Sequence, residues 1–166
     1  MLYTSAEAAK QLRKWNDELS SLDNLENLSK EFVVSVGEDV ESVRPAYDYA
    51  GIRDEREALE KKIRALKHAV NVFNASHTVP GTDMTVDQLL IRIPQLSARK
   101  ARLAAMKNML PKTREVRYNS NLVEYRYVNY DLAAVAADYE AVSDELAKAQ
   151  TALDTFNNTE RFEFEI

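Results

Sequence analysis

No cysteine occurs among the 166 residues, which excludes disulfides, thiolate metal ligands and cysteine nucleophiles together. Glycine and proline are nearly as scarce, at three and four, so little of the chain is free for linkers or phosphate-cradling loops. Neither GxxxxGK nor GxGxxG can be built from glycines so scattered. No apolar run approaches the roughly 18 residues of a membrane span. The opening MLYTSAEAAKQLRKW lacks the apolar centre of a secretory signal. A cytoplasmic protein is the expectation from these absences. The two histidines, His68 and His77, are nine apart, not at the three or four that place two ligands on one helical face. With no HExxH and no nucleophile elbow, the sequence predicts no catalytic residues, no metal site and no cofactor.

What the sequence does have is a repeated apolar spacing of alternating threes and fours. It is cleanest at the end, where Leu132, Val135, Tyr139, Val142, Leu146, Ala149, Leu153 and Phe156 follow one another. A period near 3.5 keeps one stripe of a helix facing a partner helix along its length. The same pattern predicts helices over 5–29, 49–75, 86–110 and 132–156. Their stripes use Ala8, Leu12, Trp15, Leu19 and Leu22, extended by Leu25 and Leu28; Leu59, Ile63, Leu66, Val70 and Phe73; and Leu89, Ile93, Leu96, Leu103 and Leu110. Lys100 and Lys107 interrupt the third. Pro94 lies inside it and is expected to kink or split it. Thr4 with Glu7, and Thr85 with Gln88, have capping-box spacing, and Asp131 is placed to cap the last helix.

Between the helices the character changes. Residues 31–36, Glu-Phe-Val-Val-Ser-Val before Gly37, read as a strand. Residues 38–46, polar and containing Pro45, read as a loop, and Pro80-Gly81 marks a turn. Strands are also expected at 114–118 and 122–128, a hairpin around Asn119-Ser120-Asn121 with Val116, Tyr118, Val123, Tyr125 and Tyr127 on one face. The alternation Arg161-Phe-Glu-Phe-Glu-Ile166 predicts a fourth strand. The fold class that follows is mainly α: an antiparallel coiled-coil or helical-hairpin bundle of about four helices in one domain, 1–166. A small antiparallel sheet or hairpin stands at one end, into which all the strand pieces could gather.

Charge is divided by segment. From Arg92 to Arg126 nine basic residues face two acids, a net +7, whereas the rest is −12. That asymmetry suits helix pairing within a chain or between subunits better than a polyanion, which the overall −5 repels. Two clusters nevertheless carry binding potential. Lys112, Arg114, Arg117 and Arg126 interleave with Tyr118, Tyr125 and Tyr127, the mixture of cations and rings used on single strands or at a subunit contact. The plainer reading, and the favoured one, packs the tyrosines on helix ends and pairs Arg117 and Arg126 with Glu124, Glu163 or Glu165. Lys67, His68, Asn71, Asn74 and Thr78 form the second cluster. Its asparagines, poor helix formers, suit capping, register or a ligand.

The run Arg64-Ala-Leu-Lys-His-Ala-Val-Asn-Val-Phe-Asn-Ala-Ser-His-Thr78, followed by Thr85-Val-Asp-Gln-Leu-Leu90, resembles the septicolysin-like family of uncharacterised bacterial and phage-associated proteins. Asn71, Asn74, Thr78, Thr85, Asp87 and Leu89-Leu90 stand at places comparable to that family's pattern. Tyr127-Val-Asn-Tyr-Asp-Leu132 and Leu153-Asp-Thr-Phe-Asn157 fit its end, so the resemblance covers residues 50–166. It implies a coiled-coil-rich subunit that forms homo-oligomers and brings no catalytic residues with it. The function expected is therefore non-enzymatic self-assembly, as a dimer or larger and up to a hexamer. A nucleic-acid-binding accessory protein is the alternative. A membrane-active cytolysin ranks last, because no segment suits insertion and no membrane partner is expected.

Overall fold

The computed structural model describes residues 1–115 and 122–165. The expected residues Val116, Arg117, Tyr118, the turn 119–121 and Ile166 lie outside them. Along the chain the elements are β1 (Leu2–Thr4), α1 (Ser5–Ser29), α2 (Val40–Val43), α3 (Tyr49–Ser76), α4 (Val86–Lys107), β2 (Lys112–Glu115), β3 (Glu124–Tyr127), α5 (Leu132–Thr159) and β4 (Arg161–Glu163). The chain is mainly α, with two separate two-stranded antiparallel sheets, β1 with β4 and β2 with β3. It comprises two compact units: Met1–Asn74 with Asn157–Ile166, and Ala75–Phe156.

Helix α1 begins where its capping box places it. The Glu7 N–H donates to Thr4 Oγ1 at 3.1 Å, and the Thr4 N–H donates to the Glu7 carboxylate at 2.9 Å. Two of the four orphan donors of the helix start are thereby satisfied. In the first unit α1 and α3 run antiparallel, and Ala8, Trp15, Leu22, Ile52, Leu59, Ile63, Leu66 and Phe73 are buried, nearly all of them positions of the predicted stripes. Arg56 of α3 ties the pair together, donating to Asp23 and, at 2.7 Å, to Glu26 of α1. The stripe of α1 stops early, however: Leu25 and Leu28 are exposed, Leu28 to 80 %.

The last residues close this unit. Leu2–Thr4 pairs with Arg161–Glu163 in the register Leu2 with Glu163, Tyr3 with Phe162 and Thr4 with Arg161. The Phe164 N–H donates to the Met1 carbonyl, and the Met1 nitrogen donates to the Phe164 carbonyl, both at 2.9 Å. The predicted alternation puts Phe162 and Phe164 inside. The Phe162 ring lies 5.1 Å from that of Phe73, and Phe164 meets Tyr3 edge-on at 6.2 Å.

The first of the expected strands, 31–36, is not one. Residues 31–35 take no regular structure, and Ser35 to Glu38 form a turn through a Glu38 N–H to Ser35 carbonyl bond, with Gly37 at φ +93°. Strand propensity expresses packing against a neighbouring strand, and no described strand pairs with this segment. The supposed loop 38–46 holds the short helix α2, capped by Asp39. The strands do not gather into one sheet either, because the C-terminal segment pairs with the N-terminal one, which the sequence did not predict as a strand.

In the second unit a tight connection precedes α4. Val79 is fully buried, its N–H donates to the Met84 carbonyl, and Gly81 turns the chain at φ +80°. Thr85 and Gln88 form the second capping box. Helix α4 continues through Pro94 without splitting, and ends at Lys107 rather than 110, leaving Leu110 exposed. Pro94 removes its N–H from the ladder at the carbonyl of Leu90, an exposed residue where water can replace it. Helix α5 buries Val135, Val142, Leu146, Ala149, Leu153 and Phe156, six of its eight predicted stripe positions. Asp131 caps it by accepting from the Ala133 N–H at 2.8 Å.

Two outcomes follow for the closure of the first unit. Phe162→Ala removes a buried ring packed against Phe73, and urea unfolding should show a loss of about 3–5 kcal/mol. The Thr4 N–H holds the Glu7 carboxyl below the ordinary glutamate range; partial desolvation opposes this, and Arg161 reinforces it. A lowered folded value contributes stability above the unfolded value, and that contribution disappears as the pH falls through the folded one. Melting temperatures of Glu7→Gln should therefore lie below wild type at neutrality and converge with it in the acid range below ordinary glutamate titration.

Candidate functional site

The hairpin β2–β3 carries the residues singled out for binding, and its register decides which of them act together. Lys112 pairs with Tyr127, Thr113 with Arg126, Arg114 with Tyr125 and Glu115 with Glu124. Residues opposite one another share a face, and successive residues alternate. Lys112, Arg114, Tyr125 and Tyr127 therefore make one face, and Thr113, Glu115, Glu124 and Arg126 the other. On the first face the Lys112 ammonium stands 3.9 Å from the Tyr125 ring centre and 5.3 Å from that of Tyr127. Such cation–ring contacts are worth about 0.5–1 kcal/mol at exposed sites. On the second face Arg126 pairs with Glu115.

This corrects the favoured reading of the hairpin. Tyr125 is 46 % and Tyr127 62 % exposed, so these rings are not packed away on helix ends. Arg126 bonds its cross-strand diagonal neighbour Glu115, and the expected pairing of Arg117 lies outside the described residues. The base of the ribbon is fixed: the Val128 N–H donates to the Pro111 carbonyl, and the Tyr130 hydroxyl donates to the Met106 carbonyl at the end of α4.

Three basic residues of α4 have partners within the unit. Arg92 donates to Glu145 of α5 at 2.7 Å, Lys107 to Glu140 at 3.2 Å, and Lys107 also lies 4.0 Å above the Tyr139 ring, with Lys100 at 5.7 Å. The lysines that interrupt the α4 stripe thus cover Tyr139 of the α5 stripe. A shallow cleft of about 310 Å³ adjoins Arg92, floored by Leu89, Ala149 and Ala152 and rimmed by Asp83, Glu145 and Lys148. Arg92 and Glu145 neutralise each other across its rim.

The polar cluster on α3 divides. Lys67, His68 and Asn71 are exposed and border an open groove with Asn16, Leu19 and Glu60. Asn74, one turn on, is half-buried: its Oδ1 is buried and has no hydrogen-bond partner among the described residues. Thr78 belongs to the second unit, where it forms an isolated bridge with Thr85. The sequence reading missed a contact beside this cluster, Ser76 Oγ at 3.0 Å from His77 Nδ1. Both residues are exposed, without the exclusion of water that strengthens electrostatics in an active site. Among the described residues no three His, Asp or Glu side chains are grouped to hold a metal ion, and no helix is long and apolar enough to cross a membrane.

The third feature is apolar. From Leu25 to Tyr49 the large side chains Leu25, Leu28, Val33, Val36, Val40, Val43 and Tyr49 are all exposed, Val33 to 93 %. The segment is nonetheless ordered by local contacts. The Arg44 guanidinium stands 5.2 Å above the Phe32 ring and donates two bonds to Glu41, at 2.8 and 2.9 Å. That pairing holds the Glu41 carboxyl below its ordinary range. Tyr47 donates to Glu26 at 3.1 Å; burial first, and then this carboxylate, push its hydroxyl pKa up.

No family profile matches the chain, and no curated protein does. The fold is similar to that in a crystal structure of a functionally unknown conserved protein from Corynebacterium diphtheriae. The TM-score is 0.62 at 17 % identity, over 98 % of this chain and 100 % of that one. At that identity the likeness shows the fold alone.

The buried amide of Asn74 gives a direct test. An unsatisfied buried carbonyl costs about 1–3 kcal/mol, and alanine is the better helix former. Asn74→Ala should raise the urea midpoint; a fall would show that the amide is engaged and belongs to a polar network.

Proposed function

We propose that this chain is a non-enzymatic protein that self-associates through the apolar surface of its first unit. The observation that carries the reading is the segment 31–36. It has the composition of a strand, Val33 and Val36 point into solvent, and exposed Leu25, Leu28, Val40 and Val43 flank it. Large apolar side chains gathered in one short stretch mark an interaction surface. A β-branched segment outside every described sheet can add to the edge of another strand. A second copy of the segment is a fitting occupant. Antiparallel pairing about Val34 would set Phe32 opposite Val36 and Val33 opposite Ser35 of the other copy, giving a two-fold interface with aliphatic side chains on both faces.

The charge argument for assembly changes with the structure. The basic side chains Arg92 and Lys107 engage acids of α5 inside the same unit, which weakens the case for complementary charge between subunits. The apolar surface supports it instead, and that surface is insensitive to salt. The resemblance to the septicolysin-like family, with its implied homo-oligomers, agrees with the same reading.

Light scattering after size exclusion should give a mass above the 18.9 kDa monomer at micromolar concentration, in low and in high salt alike. Val33→Lys with Val36→Lys should return the protein to a monomer with an unchanged circular dichroism spectrum. A wild-type monomer under both salt conditions would sink the proposal.

A further inference from the structure

We infer that the β2–β3 hairpin is a binding site for single-stranded nucleic acid, on the face made by Lys112, Arg114, Tyr125 and Tyr127. The register puts two cations and two aromatic rings side by side. All four side chains are exposed. A ligand that satisfies both groups must offer flat faces to the rings and negative charge to the cations at close intervals. Nucleobases joined by phosphates meet that description, since every base has a π-face and every linkage a charge.

The geometry also distinguishes one strand from two. A ribbon set in the groove of a duplex has phosphates on both sides of it. Among the described residues the tyrosine face carries two cations and no acid, whereas the other face carries two acids and one cation. There Glu115 stands directly opposite Glu124, and Arg126 pairs with Glu115. A groove would press that acidic face against a phosphate wall. A single strand laid on the tyrosine face avoids it, and its unstacked bases are free to stack on the rings.

Lys112 already shows how the face would respond. Its ammonium rests against both rings. Its long stem lets it move to a phosphate while a base takes its place on the ring. Lys112 and Arg114 are two residues apart, about 7 Å along the strand, which gives each cation its own phosphate. Two phosphate contacts on a single strand correspond to a salt slope of roughly −1.4 in log K against log salt. The chain's net charge of −5 works against general attraction, so binding must come from this face.

Fluorescence anisotropy of labelled oligothymidine with the full chain tests the assignment. Binding should appear at low salt, with a slope near −1.4, and the same sequence as a duplex should bind more weakly. Tyr125→Ala and Tyr127→Ala should each weaken binding roughly fivefold or more. Tyr125→Phe and Tyr127→Phe should retain it, because stacking does not use the hydroxyl. Arg114→Ala should weaken binding and flatten the salt slope, whereas Arg126→Ala, on the opposite face, should change it less than twofold, about the resolution of the titration. These surface variants isolate the site even where an alanine in place of tyrosine loosens the hairpin. Absence of binding, a duplex bound as tightly as the single strand, or equal losses for Arg114→Ala and Arg126→Ala would each overturn the proposal.

Discussion

A helix with one apolar stripe must bury that stripe against another element, and each long helix of this chain carries such a stripe. The requirement shapes the rest of the molecule. In the first unit it pairs α1 with α3, with Trp15, Leu22, Leu59 and Ile63 inside. In the second it sets α4 beside α5 across Leu89, Leu96, Leu103, Val142 and Leu146. Polar contacts are arranged around those stripes. Arg56 reaches Asp23 and Glu26 across the edge of the α1–α3 pair, and Lys107, which interrupts the α4 stripe, lies over Tyr139. Exposed ion pairs of this kind add little stability. They orient a pairing that burial drives.

The two sheets meet the same requirement in different ways. β1 and β4 are only three residues each, but the alternation of β4 turns Phe162 into the first unit, against Phe73. Backbone bonds and a buried ring act together there. β2 and β3 have no such inward side chain: their residues are exposed or half-buried. A two-stranded ribbon of that kind is marginal by itself. It is held at its base by the Val128 and Tyr130 hydrogen bonds, and across its faces by the cation–ring and ion-pair contacts. Its side chains are therefore available to a ligand.

The segment from Leu25 to Tyr49 contrasts with both. Most of its aliphatic side chains are exposed, although Arg44, Glu41 and Tyr47 fix its local path. Apolar groups held in water at fixed positions are what an interface needs, because little conformational entropy is lost when a partner covers them. The two proposed activities thus belong to different features, one apolar and one cationic-aromatic, and are separable by substitution.

The sequence by itself determined what is local. The starts of α1 and α4 were legible because a Thr and a Glu or Gln three residues later satisfy backbone donors within one turn. The buried faces of α3 and α5 were legible because a helix repeats its stripe whatever it packs on. The tail alternation placed Phe162 and Phe164 inside for the same reason. Only the tertiary structure decided what depends on a distant partner. Residues 31–36 have strand composition without a strand beside them, while Leu2–Thr4 became a strand because Arg161–Glu163 lies alongside. The hairpin tyrosines could have packed on helix ends; their exposure was settled by the cross-strand register, which set them beside Lys112 and Arg114. Asn74, read as part of one cluster, differs from Asn71 in how far α3 is covered around it. Helix signals are written in neighbouring residues, whereas strand pairing and exposure are relations between residues far apart in the chain, and no short stretch of sequence contains them.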